Sequence, residues 1–171
     1  MKELILTQGK VALVDDEDYE YLSQWKWFAH VGKGKWYAIR NQRVNGKANI
    51  VYLHREIMKP SSKLMVDHID HDGLNCQRHN MRLCTQSQNM RNSRIKEGNF
   101  KRVGRATGAA KYTAQITIDG NKYHLGSFET AEGAAFAYNL AASKYFGEYA
   151  HLNKLPNERR WESLSKEIID A

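Results

Sequence analysis

The sequence predicts an α+β protein built from several small sheets and few helices. Short apolar runs bounded by Gly and Asn turns recur along the chain, and only residues 130–146 show helical spacing over a long stretch. The 171 residues are enough for one ordinary domain or two small ones. A hydrophobic fraction of 42% can form real cores, which excludes a disordered chain.

The front of the chain predicts a small mixed sheet rich in aromatic residues. Acidic residues 15–18 suit the first turn of a short helix that runs to Leu22. Trp25, Trp27 and Trp36 are interpreted as packing residues. Strands are predicted at residues 4–6, 11–14, 25–29, 36–39 and 50–53. The residues of this N-terminal β-rich region, residues 1–49, do not indicate a function.

The middle of the chain predicts strand, loop, strand and helix in about thirty residues. A short helix at residues 54–58 ends before Pro60, and strands follow at residues 64–69 and 81–84. Thr85 and Gln88 have the spacing of a capping box, so a helix is predicted to begin at Thr85.

Three residues of this segment have the chemistry for phosphodiester hydrolysis. Asp67 can bind a hard divalent cation, and the Asn89 side chain offers a second oxygen ligand. The imidazole of His68 can take a proton from water near neutral pH. Asn75 and Asn80 can brace the loop between the strands, and Asn80 is the better candidate for the residue that aims His68. His71 and His79, in the same loop, are expected to be solvated.

The segment MVDHIDHDGLNCQRHNMRLCTQSQNMRN, residues 65–92, resembles the HNH endonucleases, also called the ββα-metal fold. The resemblance implies His68 as general base, Asp67 and Asn89 as metal ligands, and Asn80 as the brace. Asn89 stands where many relatives have His, which favours Mg²⁺ or Mn²⁺ over zinc. LHREIM, residues 53–58, looks like the family's usual lead-in, in which His54 is expected to be structural. Four cysteines of a structural zinc site are absent, since the chain has two.

The charge distribution favours a polyanionic partner. The formal net charge is +7, and residues 86–111 hold seven Lys or Arg and one acid. Arg91 and Arg94 are expected to contact DNA phosphates. No apolar run approaches 18 residues, so no membrane span is predicted. Two cysteines suit free thiols in a reducing cytoplasm, that of a bacterial host if the gene is carried by a phage.

The C-terminal half predicts a basic loop at residues 98–108, a hairpin of residues 111–118 and 122–127, and a helix from the cap Thr130 to Phe146. KYTAQITIDGNKYHLGSFETAEGAAFAYNLAASKYFGEYAHLN, residues 111–153, resembles the APETALA2-type domain, which implies a three-stranded sheet in the DNA major groove. The family's usual Gly-Val-Arg appears here as Arg102-Val103-Gly104. The residues expected to contact DNA are Lys101, Arg102, Arg105, Lys111, Tyr112, Gln115, Lys122 and His124.

Together these observations predict a metal-dependent endonuclease of double-stranded DNA, homing-type and phage-like, in which a single site nicks one strand. The expected domains are the β-rich region 1–49, an HNH core 50–95, an APETALA2-like domain 96–155 and a charged tail 156–171. A monomer is favoured over an obligate dimer. Two alternatives stay open: a DNA-binding regulator with an inactive nuclease core, and an RNA-directed or structure-specific nuclease.

Overall fold

The computed structural model describes residues 1–32, 34–93, 98–105 and 111–156. The chain comprises two compact units, Met1–Asn89 and Met90–Ala171. The first holds β1 (Lys2–Ile5), β2 (Val11–Val14), α1 (Asp16–Ser23), β3 (Phe28–Gly32), β4 (Lys35–Val44), β5 (Lys47–Tyr52), α2 (Leu53–Met58), β6 (Met65–His68), a 3₁₀ turn (Arg78–Asn80) and β7 (Met81–Cys84). Helix α3 (Gln86–Arg91) spans the boundary. The second holds β8 (Val103–Arg105), β9 (Tyr112–Ile118), β10 (Asn121–Phe128), α4 (Ala131–Phe146) and a 3₁₀ turn (Gly147–Tyr149).

The predicted α+β class is confirmed, because small antiparallel sheets alternate with short helices. In the first unit β1 pairs with β2, β6 pairs with β7, and β3, β4 and β5 form one sheet in that order. In the second unit the order is β10, β9, β8. Among the described residues no helix is long and apolar enough to cross a bilayer.

The β4–β5 hairpin is much longer than its apolar pattern predicts. The prediction ended the strand at Ile39, but β4 continues to Val44 and pairs with β5 as far as Lys47. Asn45 and Gly46 both have positive φ, 50° and 75°, which suits a tight two-residue turn. The ten residues 41–50 are all exposed. Most of these residues are polar, so the segment lacks the alternation of apolar and polar residues from which a strand is predicted.

The core of the first unit forms where α1 and α2 meet the front strands. Trp27, Leu22 and Leu53 are almost fully buried, and the Trp27 indole donates a hydrogen bond to the Leu22 carbonyl, 2.9 Å away. The buried guanidinium of Arg40 lies 4.4 Å from the centre of the Trp25 ring and pairs with Glu56 at 3.0 Å. These contacts fix α2 against β4, and thereby place the residues that α2 presents to the site.

In the second unit α4 packs on one face of the three-stranded sheet. Ala114 and Ile116 of β9 are buried, and Ile116 packs in one cluster with Tyr138, Ala142 and Phe146 of the helix. The Thr130 hydroxyl caps the helix by accepting a hydrogen bond from the Gly133 amide. Strand β8 lies inside residues 98–108, which were predicted to be a loop. The strand was missed because three residues around Gly104 are too few to show an alternating pattern.

Candidate functional site

Strands β6 and β7 and helix α3 position the three residues predicted to do chemistry. Asp67 and His68 end β6, where they pair with Arg82 and Met81 of β7. The predicted capping box is present: the Thr85 amide donates to the Gln88 side chain at 2.8 Å, and the Gln88 amide donates to the Thr85 hydroxyl at 3.3 Å. Helix α3 therefore begins next to β7 and carries Asn89 in its first turn.

Asp67, His68 and Asn89 line the same cavity, whose volume is about 440 Å³. The structure therefore brings the three residues to one cavity, and their convergence on a single metal ion stays a prediction. The other residues that line the cavity come from the β3–β4–β5 sheet, α2, β6 and the following loop: Gly32, Lys35, Tyr37, Tyr52, His54, Arg55, Met65, Val66, His71 and Gly73.

Asp67 is buried and held by a guanidinium. Arg82 donates from Nε and Nη2 to the Asp67 Oδ2 atom, at 2.9 and 2.8 Å. Both side chains are about nine-tenths buried or more. The pair fixes the orientation of the carboxylate. Within the described ranges, no group of three or more His, Cys, Asp or Glu side chains is arranged to hold a metal ion.

His68 is buried in a mixed aromatic and polar environment. Burial lowers the pKa of its imidazole, while the carboxylates of Asp70 and Asp67 act in the opposite direction. Its Nε2 atom lies 3.9 Å from the Sγ atom of Cys76, which is a buried free thiol. The lowered pKa means that the imidazole is neutral, and hence able to accept a proton, at neutral pH.

Asn80 joins the two ends of the loop that follows β6. Its Nδ2 atom donates to the Asn75 carbonyl at 2.8 Å and to the Asp70 carboxylate at 2.9 Å, and its Oδ1 atom accepts from the Asp70 amide at 3.1 Å. Burial acts to raise the pKa of Asp70, but hydrogen bonds from the Asp72 amide, Asn80 and Asn75 hold it below its usual value. Asn80 is itself buried, so this network is an internal brace beside His68.

The loop is also fixed from outside. A Cβ atom on Gly73 would lie 2.3 Å from the Trp36 carbonyl oxygen, so only glycine allows this close approach to β4. The Cys76 amide donates to the Leu13 carbonyl at 2.8 Å. Arg78 binds Asp18 of α1 through two hydrogen bonds of 2.7 and 2.8 Å. The front sheet and α1 therefore hold the loop on which His68 depends.

Two histidines of the loop differ in position. His79 is exposed, as expected, whereas His71 is half-buried and lines the cavity. The His71 backbone has a left-handed conformation, with φ 66°. The expectation that this histidine is solvated and is not a ligand stays a prediction.

Residues of β4, β5 and α2 around the cavity were not recognised from sequence as parts of a site. They include Lys35, Tyr37, Tyr52, His54 and Arg55. One signal could have identified them: the 35 residues 21–55 contain seven Lys or Arg and neither Asp nor Glu. Such an acid-free stretch indicates a surface for an anion as strongly as the basic stretch 86–111 does.

In the second unit, the residues expected to contact DNA divide over two faces of the sheet. Gln115 pairs with His124, and Lys122 with Thr117, so these side chains share the face opposite α4. Arg105 instead pairs with Tyr112. Tyr112 is an odd number of residues from Gln115 along β9, so its side chain, and that of Arg105, lie on the α4 side of the sheet. The Arg105 guanidinium lies 5.8 Å from the centre of the Tyr112 ring.

Other basic residues of that set have intramolecular partners. Lys111 pairs with Glu129 at 3.0 Å. The Arg91 guanidinium lies 4.6 Å from the centre of the Phe146 ring and 3.3 Å from Asp119. Arg102 is exposed. Arg94 lies outside the described residues.

The Lys101 ammonium group caps backbone carbonyls. It donates to the carbonyls of Arg91 and Ser93, at 2.5 and 2.9 Å. Burial lowers the pKa of Lys101 to about 8. The Lys101 ammonium group, which is expected to contact DNA, therefore already donates to two backbone carbonyls of its own chain.

Comparisons with known proteins agree on one family. Residues 59–91, which include Asp67, His68, Asn80 and Asn89, match the HNH endonuclease family. A protein of Acanthamoeba polyphaga mimivirus, named uncharacterized HNH endonuclease L560, is 32% identical over 154 residues. That match covers 86% of this chain and 77% of the mimivirus protein.

Proposed function

This chain belongs to the HNH endonuclease family, and from that premise we propose that it hydrolyses phosphodiester bonds of double-stranded DNA with a divalent metal ion. The observation that carries the proposal is the shared cavity of Asp67, His68 and Asn89. A carboxylate, an imidazole and a carboxamide in one cavity supply a metal ligand, a base and a second ligand.

The charges around the cavity suit a phosphate. Lys35 and Arg55 are cationic, His54 and His68 have lowered pKa values and are neutral at pH 7, and the single carboxylate of the lining, Asp67, is paired with Arg82. The lining therefore has an excess of positive charge, which attracts a phosphodiester.

The donor set fits a hard cation that keeps much of its water. Two protein oxygens, one from Asp67 and one from Asn89, are few for calcium but typical of Mg²⁺, which takes its remaining ligands from water and substrate phosphate. Arg82 supports this role by orienting the carboxylate that would hold the ion. Held by Asp67 and Asn89, a Mg²⁺ or Mn²⁺ ion would neutralise charge at the phosphate.

His68 performs the proton transfer in this proposal. Its neutral imidazole accepts a proton from a water molecule, whose oxygen forms the new bond to phosphorus. The bond from phosphorus to the leaving oxygen breaks, and that oxygen is protonated from solvent. Asn80 and the loop network hold the backbone that orients His68.

The second unit is proposed to hold the duplex. Gln115, Lys122 and His124 share the exposed face of an antiparallel sheet, and a sheet of this size can enter the major groove. We further propose that the enzyme is homing-type and monomeric, that it nicks one strand, and that it acts in the cytoplasm, of a bacterial host if phage-encoded. The finer division into domains 1–49, 50–95, 96–155 and 156–171 stays a prediction.

The test is nicking of supercoiled plasmid by the purified chain with Mg²⁺, with Mn²⁺ and with a chelator. We expect nicks that need the metal, and a loss of about a hundredfold or more when His68 is replaced by Ala. His79→Ala is the matched control, because His79 is an exposed histidine of the same loop. Plasmid binding without nicking in every metal would overturn the nuclease proposal and support a DNA-binding regulator. Preferential cleavage of RNA would overturn the DNA assignment.

A further inference from the structure

His54 lies in the first turn of α2 and lines the same cavity as His68 and Asp67. The resemblance of LHREIM to a family lead-in predicted a structural role for it. Its place in the lining adds another imidazole to the cavity of His68, supplied by α2 and not by the β6–β7 strands or the loop between them. This imidazole has no part in the mechanism described above.

The His54 ring is held in one orientation by three aromatic neighbours. Its centroid lies 5.2 Å from that of His68, and the two planes are nearly perpendicular at 84°. Tyr37 and Tyr52 lie 5.6 and 5.4 Å away. The contact with His68 is edge-to-face, and the contacts with the two tyrosines are tilted, at 58° and 41°. Packing by three rings restricts the direction in which the ring nitrogens point.

The two nitrogens of His54 have different surroundings. Nδ1 is buried and has no hydrogen-bond partner among the described residues. Buried N–H groups without an acceptor are rarer than buried acceptors without a donor, so the proton of the neutral ring is favoured on Nε2. Since the residue lines the cavity and its Nδ1 is the enclosed atom, Nε2 is the nitrogen that faces the open space.

We propose that His54 contacts the scissile phosphate directly, donating a hydrogen bond from its Nε2–H group to a non-bridging phosphate oxygen. The proposal deepens the proposed function and rests on it, because it takes a phosphodiester as the ligand of the cavity. His68 then acts on water, and His54 holds the phosphate that the water attacks.

The environment of His54 suits a neutral donor and not a second base. Burial, followed by the effects of His68 and Arg55, lowers the pKa of His54 to about 3. An imidazole with that pKa is a poor proton acceptor, but it can donate a hydrogen bond at every pH where DNA is cleaved. A fixed, partly desolvated donor aimed at a phosphate oxygen stabilises the charge that develops in the transition state.

Three substitutions distinguish the contribution of the hydrogen-bond donor of His54 from that of its ring. Gln carries its amide nitrogen near the position of the histidine Nε2 atom, Asn carries it near that of Nδ1, and Phe keeps the ring without a donor. We expect His54→Phe and His54→Asn to reduce single-turnover nicking by about a hundredfold, and His54→Gln to recover about a tenth or more of the wild-type rate. The dissociation constant for uncleaved duplex should change by less than about threefold, since many other contacts hold DNA.

Thermal unfolding of each variant shows whether it is folded, and rates are compared only for variants with a cooperative transition. Nicking by His54→Phe at the wild-type rate would overturn the proposal, because packing of the ring would then suffice. Equal rates for the Asn and Gln variants would also overturn it, because the position of the donor would not matter.

A second measurement is independent of cleavage. In ¹⁵N-labelled wild-type chain without metal, we expect the His54 imidazole to be the neutral Nε2–H tautomer and its Nε2 resonance to shift as inorganic phosphate is added. His79 serves as the control for general salt effects. A Nδ1–H tautomer, or a His54 resonance that phosphate does not move, would overturn the contact. A phosphate-dependent shift in a chain that never nicks DNA would instead sustain the contact and refute the nuclease proposal.

Discussion

Arg82 and Asp67 lie directly opposite each other on β7 and β6, and the guanidinium donates to the carboxylate at 2.8 Å while both side chains are buried. The pairing of the two strands alone brings the two charged groups together. The residue proposed as the metal ligand is therefore oriented before any ion binds.

Removal of the Arg82 charge should affect both stability and activity. Arg82→Gln leaves the buried Asp67 carboxylate without its cation, which is expected to lower the free energy of unfolding by about 3–5 kcal/mol. Activity at saturating DNA should fall about 10–100-fold, because the carboxylate that would hold the ion is no longer oriented. Urea unfolding and plasmid nicking across a range of Mg²⁺ concentrations measure the two effects.

The double variant Asp67→Asn/Arg82→Gln is the control for this pair. It should recover most of the lost stability, because no buried charge is left alone, yet it should not nick DNA. If the double variant nicks as well as Arg82→Gln does, Asp67 is not the metal ligand.

The Asn80 brace can be tested with a nearly isosteric substitution. Asn80→Asp replaces the Nδ2 donor by an oxygen 2.9 Å from the Asp70 carboxylate, so two acids would repel where a hydrogen bond now exists. We expect the Asp variant to be about 2–4 kcal/mol less stable at pH 7 and to recover part of that loss near pH 4, where one carboxyl is protonated. Asn80→Ala should be destabilised at both pH values. Equal stability of the Asp and Ala variants at every pH would contradict the brace geometry.

Much of this site could be predicted because its determinants are local. The Thr85–Gln88 capping box fixes where α3 begins, and Asp67 and His68 end the short strand that the apolar run before them predicts. Asn89 then follows within the short helix that the capping box starts. Fold class followed similarly from short apolar runs separated by turns.

The parts that could not be predicted depend on contacts distant in sequence. Arg82 is an ordinary strand residue until the β6–β7 register places it opposite Asp67. His54, Tyr37 and Lys35 reach the cavity only because α2 and the β3–β4–β5 sheet pack beside β6. No spacing in the sequence contains that information.

The face of the second unit that binds DNA can be identified from the salt dependence of binding. Lys122 lies on the exposed face that Gln115 and His124 share, whereas Arg105 pairs with Tyr112 toward the other face. Lys122→Gln should reduce the slope of log K against log salt by about 1, and Arg105→Gln should leave it nearly unchanged. Fluorescence anisotropy with one duplex at several salt concentrations gives both slopes. A larger effect for Arg105 would place the DNA on the opposite side.

The exposed β4–β5 hairpin is expected to contribute to DNA binding through the first unit. Its residues 41–50 are exposed on both faces and include Arg43, Lys47 and four Asn or Gln side chains, with no acid. A two-stranded ribbon of this composition can enter a groove and contact phosphates. The variant Arg43→Gln/Lys47→Gln should weaken binding at low salt and reduce the salt slope by about 2. Lys2→Gln/Lys10→Gln removes the same charge elsewhere in the unit. An equal decrease in binding and in salt slope for this control would show that the hairpin acts only through the net charge of the unit.

Stability of the first unit should fall as the solution is acidified, and His54 is one identified cause. Its pKa is about 3 in the folded chain but about 6.5 when unfolded, because folding buries the ring. Above pH 6.5 the ring is neutral in both states and contributes no pH dependence. As the pH falls from 6.5 toward 3, only the unfolded chain takes up the proton, so unfolding becomes more favourable by on the order of a few kcal/mol. His54→Phe cannot take up that proton, so its free energy of unfolding should fall less steeply over the same pH range. Urea unfolding at pH 7, 5.5 and 4.5 measures the difference, and parallel curves for the two proteins would show that His54 is protonated equally in both states.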